Sequence, residues 1–373
     1  MENFIVSARK YRPTTFSSVV GQTHITSTLK NAIATGKLAQ AFLFCGPRGV
    51  GKTTCARILA KTINCTNPTA DMEACDECES CRSFNSGQSM NIFELDAASN
   101  NSVDGIRELV EKVRYAPQTG RYKVYIIDEV HMLSSGAFNA FLKTLEEPPE
   151  YVKFILATTE KHKILPTILS RCQVFDFKRI MPSDIVAHLA SVAKQEGVSY
   201  EPAALKLIAR KAEGGLRDAL SIFDQMVSFT NANLTKELCQ KNLNVMDSEY
   251  YFRLVDMFKA ADVAGVLNLY DEIVANGFEG QQFLTGLSEH LRNLLVSLDV
   301  STQKLLDVDD DERRQYDRQS TECGLALLMR YLEIASDYEY RFRDATNKRL
   351  FTEVALSKMS VVTKNLQLAQ PAG

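Results

Sequence analysis

The sequence predicts an α/β fold over the first half of the chain and a wholly helical structure after it. The first prediction rests on three short apolar runs, at Ala41–Cys45, Val124–Asp128 and Phe154–Thr158. Continuous apolar runs, unlike alternating ones, are typical of strands in a parallel sheet that helices cover on both faces. From about residue 184 onward only helical periods occur, which predicts the second part.

The remaining elements follow in chain order. Residues 90–95 form a fourth candidate strand, and helical patterns separate the four runs. Ser183 is placed to cap the next helix, and Gly214-Gly215 separates two later ones. Further on, apolar side chains recur on one predicted helix face, at Leu325, Leu328, Leu332, Ala335 and Tyr338. We therefore predict three domains, at residues 1–180, 181–245 and 246–373.

The composition is that of a folded protein with several domains. Of the 373 residues, 45% are hydrophobic and 24% are charged, which excludes a largely disordered chain. The 43 basic and 46 acidic residues leave a formal net charge of −3, so any surface for nucleic acid must be local. No run reaches the roughly 18 apolar residues of a membrane span, and the N-terminus lacks a signal-peptide pattern. We expect a cytosolic protein without a membrane partner.

A glycine-rich loop directly follows the first apolar run and precedes a predicted helix. It fits the phosphate-loop pattern G-x-x-x-x-G-K-[ST] with Gly46, Pro47, Arg48, Gly49, Val50, Gly51, Lys52 and Thr53. Glycines let such a loop curl so that backbone N–H groups face phosphate oxygens, and the helix N-terminus adds positive potential. The lysine reaches the β- and γ-phosphates, and the threonine hydroxyl coordinates Mg²⁺. The loop predicts a site for ATP and Mg²⁺.

The second apolar run ends in two acidic residues, Asp128 and Glu129. A carboxylate at the end of a strand can hold Mg²⁺, usually through water, and its neighbour can polarise the water that attacks the γ-phosphate. Alone, such a pair is equally typical of a protein surface. The phosphate loop upstream favours the catalytic interpretation, with Asp128 binding the metal and Glu129 acting as the base.

Four of the nine cysteines follow the spacing C-x9-C-x2-C-x2-C, namely Cys65, Cys75, Cys78 and Cys81. Four thiolates complete a closed tetrahedral zinc shell, so the predicted zinc site is structural. An iron–sulfur site of the ferredoxin type needs a further cysteine and then a proline, which this stretch lacks. Another metal and independent free thiols remain alternatives. The other five cysteines lie in apolar or helical contexts and are predicted to be buried.

Several motifs resemble those of bacterial clamp-loader ATPases. They are Ala8-Arg9-Lys10-Tyr11-Arg12-Pro13, Asp128-Glu129-Val130-His131-Met132-Leu133, Leu145-Glu146-Glu147-Pro148-Pro149 and Ser170-Arg171-Cys172. The cysteine module after the phosphate-loop helix narrows the resemblance to the gamma/tau subunit family of DNA polymerase III. The resemblance is dense over residues 5–220, whereas beyond about residue 245 only helicity and length agree.

The resemblance implies a role for each predicted domain. Residues 1–180 would be an AAA+ nucleotide-binding module with an inserted zinc module at 65–81. Residues 181–245 would be a small helical lid, and residues 246–373 a helical collar through which subunits oligomerise.

The resemblance also implies roles for polar residues outside the loop. Thr158 occupies the first sensor position, which reads the γ-phosphate. Arg171 resembles an arginine finger that reaches a neighbouring subunit's nucleotide, and Arg217 resembles a second sensor that acts within its own subunit. From the residues alone, a surface ion pair explains each arginine better. The other nucleotide-binding positions that the resemblance implies are Ala8, Tyr11, Arg12, Pro13, Val20, Thr54 and Leu216, five of which would line the adenine pocket (Tyr11, Arg12, Pro13, Val20 and Leu216).

The function implied by the resemblance is that of an ATP hydrolase within the DNA polymerase III holoenzyme. ATP binding would organise a spiral of subunits that opens a ring-shaped clamp and grips primed DNA, and hydrolysis would release both. The expected partners are copies of this chain, delta- and delta-prime-type subunits, the sliding clamp, primed template DNA, single-stranded-DNA-binding protein and the polymerase core, at the replisome in bacterial cytoplasm. A non-hydrolysing scaffold subunit of the same complex and a branch-migration motor of related fold are the alternatives.

One stretch departs from the family pattern. After Ser99, many relatives carry basic residues where this chain has Asn100, Asn101 and Ser102. Only helix amides, Ser102 and Arg107 remain to meet DNA phosphates there, so we expect weak DNA contact per subunit. A plain helix cap is the alternative.

Overall fold

The computed structural model describes residues 5–99, 103–117, 120–243, 245–306, 308 and 310–368. The chain divides into two compact units, Met1–Cys239 and Gln240–Gly373. Among the described residues, no helix combines the length and the apolar character needed to cross a bilayer. The finer division into three domains stays a prediction.

The first unit is built on five parallel strands: β1 Ala41–Cys45, β2 Ile92–Asp96, β3 Lys123–Asp128, β4 Val152–Thr158 and β5 Gln173–Asp176. Their order across the sheet is β2-β3-β4-β1-β5. Every residue of β1 and β4 is buried, as continuous apolar runs predict. The register sets Cys45 opposite Thr158 and Asp96 opposite Asp128, so these strand ends share one edge of the sheet. The four predicted strands are confirmed. β5 escaped prediction because it is short and polar at both ends.

Helices cover both faces of this sheet. They are α2 Thr23–Ala34, α3 Lys52–Ile63, α4 Glu79–Asn85, α5 Val103–Val113, α6 Ser135–Glu146 and α7 Pro166–Leu169, with 3₁₀ turns at Phe16–Ser18, Val130–Met132 and Lys161–Lys163. The short helix α1 Ser7–Lys10 precedes them in the chain. Successive side chains of β1 point to opposite faces. Phe42 and Phe44 share a core with Leu59 of α3, whereas Leu43 shares one with Phe141 of α6.

The first unit continues into a small, mainly helical region. It comprises α8 Pro182–Glu196, β6 Ser199–Tyr200, α9 Pro202–Lys211, α10 Leu216–Phe229 and β7 Asn233–Leu234, and the boundary between the units falls within α11 Lys236–Leu243. The prediction of Ser183 as a helix cap is wrong: Met181 is the N-cap and Pro182 the first helical residue. Proline suits that position because its φ is already helical and the N–H it lacks would be unpaired there. The two-residue parallel pair of β6 and β7 was not predicted.

The second unit is wholly helical. Its helices are α12 Ser248–Lys259, α13 Val263–Ala275, α14 Gly280–Ser297, α15 Asp310–Arg341 and α16 Lys348–Leu368, with 3₁₀ turns at Gln303–Leu305 and Phe342–Asp344. Gly324 has non-helical angles (φ 71°, ψ 164°) and kinks α15. Beyond the kink, Leu328, Ala335 and Tyr338 are buried as predicted. Leu325, next to the kink, is 60% exposed, so the predicted apolar face does not extend to it.

Candidate nucleotide-binding site and cysteine module

The phosphate loop connects β1 to α3 and depends on glycines with positive φ. Gly46, Gly49 and Gly51 have φ values of 148°, 76° and 102°, which L side chains rarely adopt. A Cβ at Gly46 would lie 2.5 Å from the carbonyl oxygen of Phe177. The N–H of Gly46 donates to the carbonyl of Thr158 at 3.2 Å, which ties the loop to the sheet. The predicted strand–loop–helix arrangement is therefore present.

Lys52 is buried at the first position of α3. Its ammonium group donates to the carbonyl oxygens of Gly46 at 2.8 Å and Pro47 at 2.7 Å. Burial lowers the pKa of Lys52, and the nearby carboxylates of Glu129 and Asp128 oppose that effect. Arg48 is exposed at the tip of the loop, and Val50 is buried behind it. The cation therefore lies where phosphate oxygens can replace the two loop carbonyls.

Thr53 and Asp128 join the two halves of the predicted site. The hydroxyl of Thr53 donates to Asp128 Oδ2 at 2.6 Å, although the residues are 75 positions apart in the chain. Asp128 closes β3 and Thr53 lies in the first turn of α3, so the sheet and the loop helix meet at this bond. A hydroxyl and a carboxylate side by side are oxygen ligands suited to Mg²⁺.

Glu129 stands at the start of the turn after β3, with a left-handed φ of 47°. Its Oε2 accepts hydrogen bonds from the backbone N–H of Thr159 at 3.3 Å and from the Thr159 hydroxyl at 3.0 Å. Thr158, fully buried, accepts the N–H of Glu160 on its hydroxyl oxygen at 3.0 Å. The predicted base and the predicted sensor thus lie on adjacent loops at the carboxyl edge of the sheet.

His131 is a residue of this site to which sequence reasoning assigned no role. Its Nδ1 lies 3.0 Å from the hydroxyl of Thr158 and 3.4 Å from Glu129 Oε2, and its Nε2 lies 3.0 Å from Glu160 Oε2. The imidazole therefore bridges the predicted sensor and the predicted base. Its place in the motif Asp128–Leu133 was the signal that could have found it, whereas its contacts depend on the turn at Val130–Met132.

The N-terminus of α10 closes one side of the phosphate loop. The backbone N–H of Arg217 faces the carbonyl of Gly49 at 3.4 Å, and a Cβ on Gly215 would lie 3.2 Å from the carbonyl oxygen of Arg48. Leu216 is buried and the side chain of Arg217 is exposed. The structure thus brings the predicted second sensor next to the loop in the same chain.

Residues 7–22, which include α1 and the turn Phe16–Ser18, form an N-terminal strap that contacts the loop helix α3 and the helices α8 and α10. Arg12 Nε donates to the hydroxyl of Thr54 at 3.3 Å. Tyr11 and Lys10 both donate to Glu196 Oε1 of α8, at 2.5 and 2.6 Å. Desolvation lowers the pKa of Arg12, and the positive charges of Arg57 and Arg217 lower it further.

The start of the strap is tied to α10. The N–H of Ser7 donates to Asp224 Oδ2 of α10 at 2.7 Å. Ala8, Pro13 and Val20 are half-buried. The strap therefore carries most of the predicted adenine-pocket residues past the loop, while the arrangement of a pocket around a base stays a prediction.

Arg171 is held by partners outside the phosphate loop. It pairs with Glu146 at 2.9 Å and donates to the carbonyl of Thr167 at 2.7 Å and to the Ser170 hydroxyl at 3.4 Å. Its side chain is 35% exposed. The structure therefore places it among its own chain's surface groups, and its action on a neighbouring subunit stays a prediction.

The four predicted ligand cysteines come together. The sulfur atoms of Cys65, Cys75, Cys78 and Cys81 all lie within 4.8 Å of one another. Four sulfurs bound to zinc at about 2.3 Å would stand roughly 3.8 Å apart, so the cluster fits a tetrahedral zinc shell. Burial raises the pKa of Cys78, but hydrogen bonds from Thr66 and Cys81 outweigh it and bring the value to about 6. Burial raises the pKa of Cys81 and of Cys65 instead, so the case for a metal rests on the spacing of the four sulfur atoms.

The remaining cysteines behave as predicted where they are buried. Cys45, Cys55 and Cys239 are buried, and Cys172 and Cys323 are partly so. Burial raises the pKa of all five thiols, which keeps them protonated. The predicted DNA-facing residues Asn100, Asn101 and Ser102, and the side chain of Arg107, lie outside the described residues.

Family models match almost the whole chain in three consecutive segments. Residues 21–181 match the DNA polymerase III delta subunit, and residues 184–232 match the ATPase lid domain of the DNA polymerase III clamp loader subunit. Residues 234–371 match domain III of DNA polymerase III subunits gamma and tau.

Individual relatives agree with these models. DNA polymerase III subunit tau of Bacillus subtilis is 41% identical over 356 residues, which cover 94% of this chain and 62% of the relative. The gamma subunit of Buchnera aphidicola is 36% identical over 337 residues, or 90% of each chain. Among solved structures, the RuvB Holliday junction branch migration motor of Thermotoga maritima covers 66% of this chain and 78% of its own, with 18% identity and a TM-score of 0.48.

A phosphate loop between a buried parallel strand and a helix, followed by a segment that matches an ATPase lid domain, defines the class of this protein as a P-loop nucleotide-binding module with a helical lid. The match of residues 234–371 to domain III of subunits gamma and tau narrows this class to one family. The chain belongs to the gamma/tau subunit family of DNA polymerase III. The family predicted from the sequence is thereby confirmed.

Proposed function

We propose that this chain binds ATP with Mg²⁺ and hydrolyses it as the ATPase subunit of a DNA polymerase III clamp loader. One observation carries the proposal: Thr53 of the phosphate loop meets Asp128 at 2.6 Å, beside the buried ammonium group of Lys52. This is the set of groups that a nucleoside triphosphate and its metal require. Membership of the gamma/tau family supports the assignment.

The chain's own residues would act in order around the γ-phosphate. Phosphate oxygens would take the place of the Gly46 and Pro47 carbonyls on Lys52, and Mg²⁺ held by Thr53 and Asp128 would neutralise developing charge. Glu129 would orient the attacking water and accept its proton. Thr158 and Arg217 would respond to the γ-phosphate, and Arg171 would complete the site of a neighbouring subunit.

The proposed purpose of the ATP cycle is to open a sliding clamp and load it onto primed DNA in the bacterial cytoplasm. The proposed partners are copies of this chain, delta- and delta-prime-type subunits, the clamp and primed template DNA, with single-stranded-DNA-binding protein and the polymerase core as further contacts at the replisome. Zn²⁺ held by the four cysteines would be structural. A non-hydrolysing scaffold lacks support, because Lys52, Thr53, Asp128 and Glu129 are all in place.

Two substitutions separate nucleotide binding from hydrolysis. Lys52→Ala removes the phosphate-binding cation, so we expect ATP binding to collapse. Glu129→Gln keeps the shape of the side chain but removes the base, so ATP should bind normally while turnover falls at least roughly 100-fold. Equilibrium binding of labelled ATP and phosphate release, measured with primed DNA and clamp present, check both outcomes.

Glu77→Gln supplies the matched control, because Glu77 is an exposed glutamate of the cysteine module and the charge change is the same. It should bind and hydrolyse ATP as the unaltered chain does. Normal turnover by Glu129→Gln would assign the water-orienting role to another residue. Absence of ATP binding by the unaltered chain would overturn the proposed function.

A further inference from the structure

Glu73 is a buried carboxylate in the cysteine module that neither the predicted nucleotide site nor the cysteine cluster uses. It is 8% exposed. Its Oε2 accepts the N–H of Phe16 at 2.8 Å, and its Oε1 accepts the N–H of Ser17 at 2.9 Å and pairs with Lys30 at 2.7 Å. Glu73 thus reaches from the module to a turn that lies 57 residues earlier in the chain.

These hydrogen bonds fix the turn Phe16–Ser18 of the strap. They satisfy two N–H groups that begin the 3₁₀ turn, and hydrogen bonds to an ionised carboxylate are among the strongest in proteins. Phe16 is 1% exposed and packs in the same core as Val50 of the phosphate loop. Without Glu73, the two N–H groups would lack their acceptor in a largely buried place, which is unfavourable.

The strap reaches the nucleotide site on both sides of this turn. Before the turn, Arg12 donates to Thr54 in the first turn of α3. After it, the Gln22 amide donates to the carbonyl of Lys178 at 2.7 Å and faces that of Val50 at 3.5 Å. Phosphates bound in the loop leave the ribose and base outside it, where the strap and the N-terminus of α10 are the neighbouring segments.

The position of Glu73 depends on the folded cysteine module. Its N–H donates to the Thr69 hydroxyl at 3.1 Å, and its carbonyl accepts the N–H of Thr69 at 2.9 Å. Cys75, two residues later, belongs to the four-sulfur cluster. Closure of that cluster therefore sets where the Glu73 carboxylate stands.

We propose that Glu73 is a positioning residue for nucleoside recognition: held by the cysteine module, it pins the strap beside the phosphate loop and so sets the affinity for the ribose and base of ATP. The inference rests on the proposed ATP site. The triphosphate contacts of Lys52 and the loop amides do not pass through Glu73, so loss of Glu73 affects one part of the nucleotide and spares the other.

The test compares two ligands on matched variants of the full chain. Equilibrium binding of ATP and of inorganic tripolyphosphate, both with Mg²⁺, is measured for Glu73→Ala, Glu73→Gln and Asp76→Asn. Asp76 is a suitable control because it belongs to the same module but pairs with Lys61 of α3 at 2.7 Å, not with the strap. Zinc content and circular dichroism report whether each variant keeps its fold.

Loss of two charge-assisted hydrogen bonds should weaken ATP binding of Glu73→Ala roughly ten-fold, with tripolyphosphate binding unchanged. Glu73→Gln, which keeps one acceptor oxygen and is the variant more certain to fold, should show a smaller loss of the same kind. Asp76→Asn should bind both ligands normally. Removal of the metal with a chelator should reproduce the ATP-selective loss.

Three results would overturn the inference: ATP binding by both Glu73 variants at the unaltered level, equal losses for ATP and tripolyphosphate, or unchanged ATP affinity after the metal is removed. An unaltered chain that binds neither ligand would instead refute the proposed ATP site on which the inference rests. The two failures are therefore distinguishable.

Discussion

Two side chains of the candidate site already lie where a bound ligand would need them, held there by hydrogen bonds to other protein groups. Lys52 is bonded to loop carbonyls, and Thr53 is bonded to Asp128. Each pairing holds a group at the place where a phosphate oxygen or a metal would meet it. Ligand binding then exchanges one partner for another without moving the side chain far, which lowers the entropic cost of assembling the site.

Adding one Cβ atom at Gly46 tests whether ATP binding depends on the conformation of the phosphate loop. In Gly46→Ala the new Cβ would lie 2.5 Å from the Phe177 carbonyl oxygen, so the loop must shift and ATP binding should be lost. Gly36→Ala is the control: its φ is also positive at 68°, but its Cβ would meet nothing within 4 Å. We expect Gly36→Ala to lose about 1–2 kcal/mol of unfolding free energy from backbone strain alone. Gly46→Ala should lose at least about 1 kcal/mol more from overpacking, and urea unfolding measures the difference.

We expect His290 to make the second unit sensitive to acid. It is 2% exposed, lies 3.0 Å from the Tyr316 hydroxyl, and packs against Phe252. Burial lowers its pKa from 6.5 to about 3, against smaller opposing effects of Gln319 and Asp256. The folded protein keeps the imidazole neutral where the unfolded chain protonates it, so this contribution to stability is present above pH 6.5 and is lost as the pH falls toward 3.

Between pH 7 and pH 5, this residue should remove on the order of 2 kcal/mol of unfolding free energy. In His290→Gln that part of the pH dependence should vanish. Urea unfolding at both pH values checks this through tyrosine fluorescence, since the chain contains no tryptophan. Equal pH dependence in both proteins would contradict the assignment to His290.

At the scale of elements, the cysteine module is a small insertion with little secondary structure of its own. Between α3 and β2 only the short helix Glu79–Asn85 is regular. Such a segment buries too little apolar surface to fold without a further constraint. Two charged contacts, Lys61 with Asp76 and Lys30 with Glu73, attach it to the rest of the first unit.

Purified protein should accordingly contain about one zinc ion per chain, held by four thiolates. Cys78→Ser should lower that content, whereas Cys239→Ser, which alters a cysteine outside the cluster, should leave it unchanged. Elemental analysis measures both variants. Iron with visible absorbance, or protein free of metal, would exclude the zinc assignment.

At the scale of the whole molecule, the proposed role of one predicted catalytic group, Arg171, requires an assembly of subunits. Arg171 pairs with Glu146 on the surface of its own chain. An arginine acting on a neighbour's ATP must lie at a surface in this way, and an arginine that only braces its own fold would do the same. A mixture of variants distinguishes the two roles.

The decisive mixture combines Arg171→Ala with Lys52→Ala subunits. Arginine fingers supplied in trans contribute roughly 10³–10⁵ to turnover, so Arg171→Ala assemblies should bind ATP yet hydrolyse it poorly. In mixed assemblies, a Lys52→Ala subunit can lend its Arg171 to a neighbour with an intact loop, and part of the activity should return. Phosphate release is the measurement, with mixed assembly verified by native mass spectrometry. Failure of rescue, together with a lower melting temperature for Arg171→Ala, would place Arg171 in a structural role.

Prediction from the sequence succeeded where neighbours in the chain are also neighbours in space. The apolar runs of β1, β3 and β4 and the spacing of the four cysteines are local patterns, and the structure contains each of them. β5 was missed because it owes its place to pairing with β1 and not to its own composition. The contacts of Glu73 and His131 were missed for the same reason, since each joins segments brought together only by the fold.

The attachment of the strap to the lid helices has a consequence for timing. Glu196 holds both Lys10 and Tyr11 through partly exposed side chains, and Asp224 holds the N–H of Ser7. We expect a nucleoside bound at the proposed site to leave only after these bonds open, so their lifetime should set the shortest time that a spent nucleotide stays bound. Mobile ions screen exposed charge pairs such as Lys10–Glu196. The bound product should therefore be released faster as ionic strength rises. The rate of the proposed ATP cycle would then depend on the salt concentration of the cell.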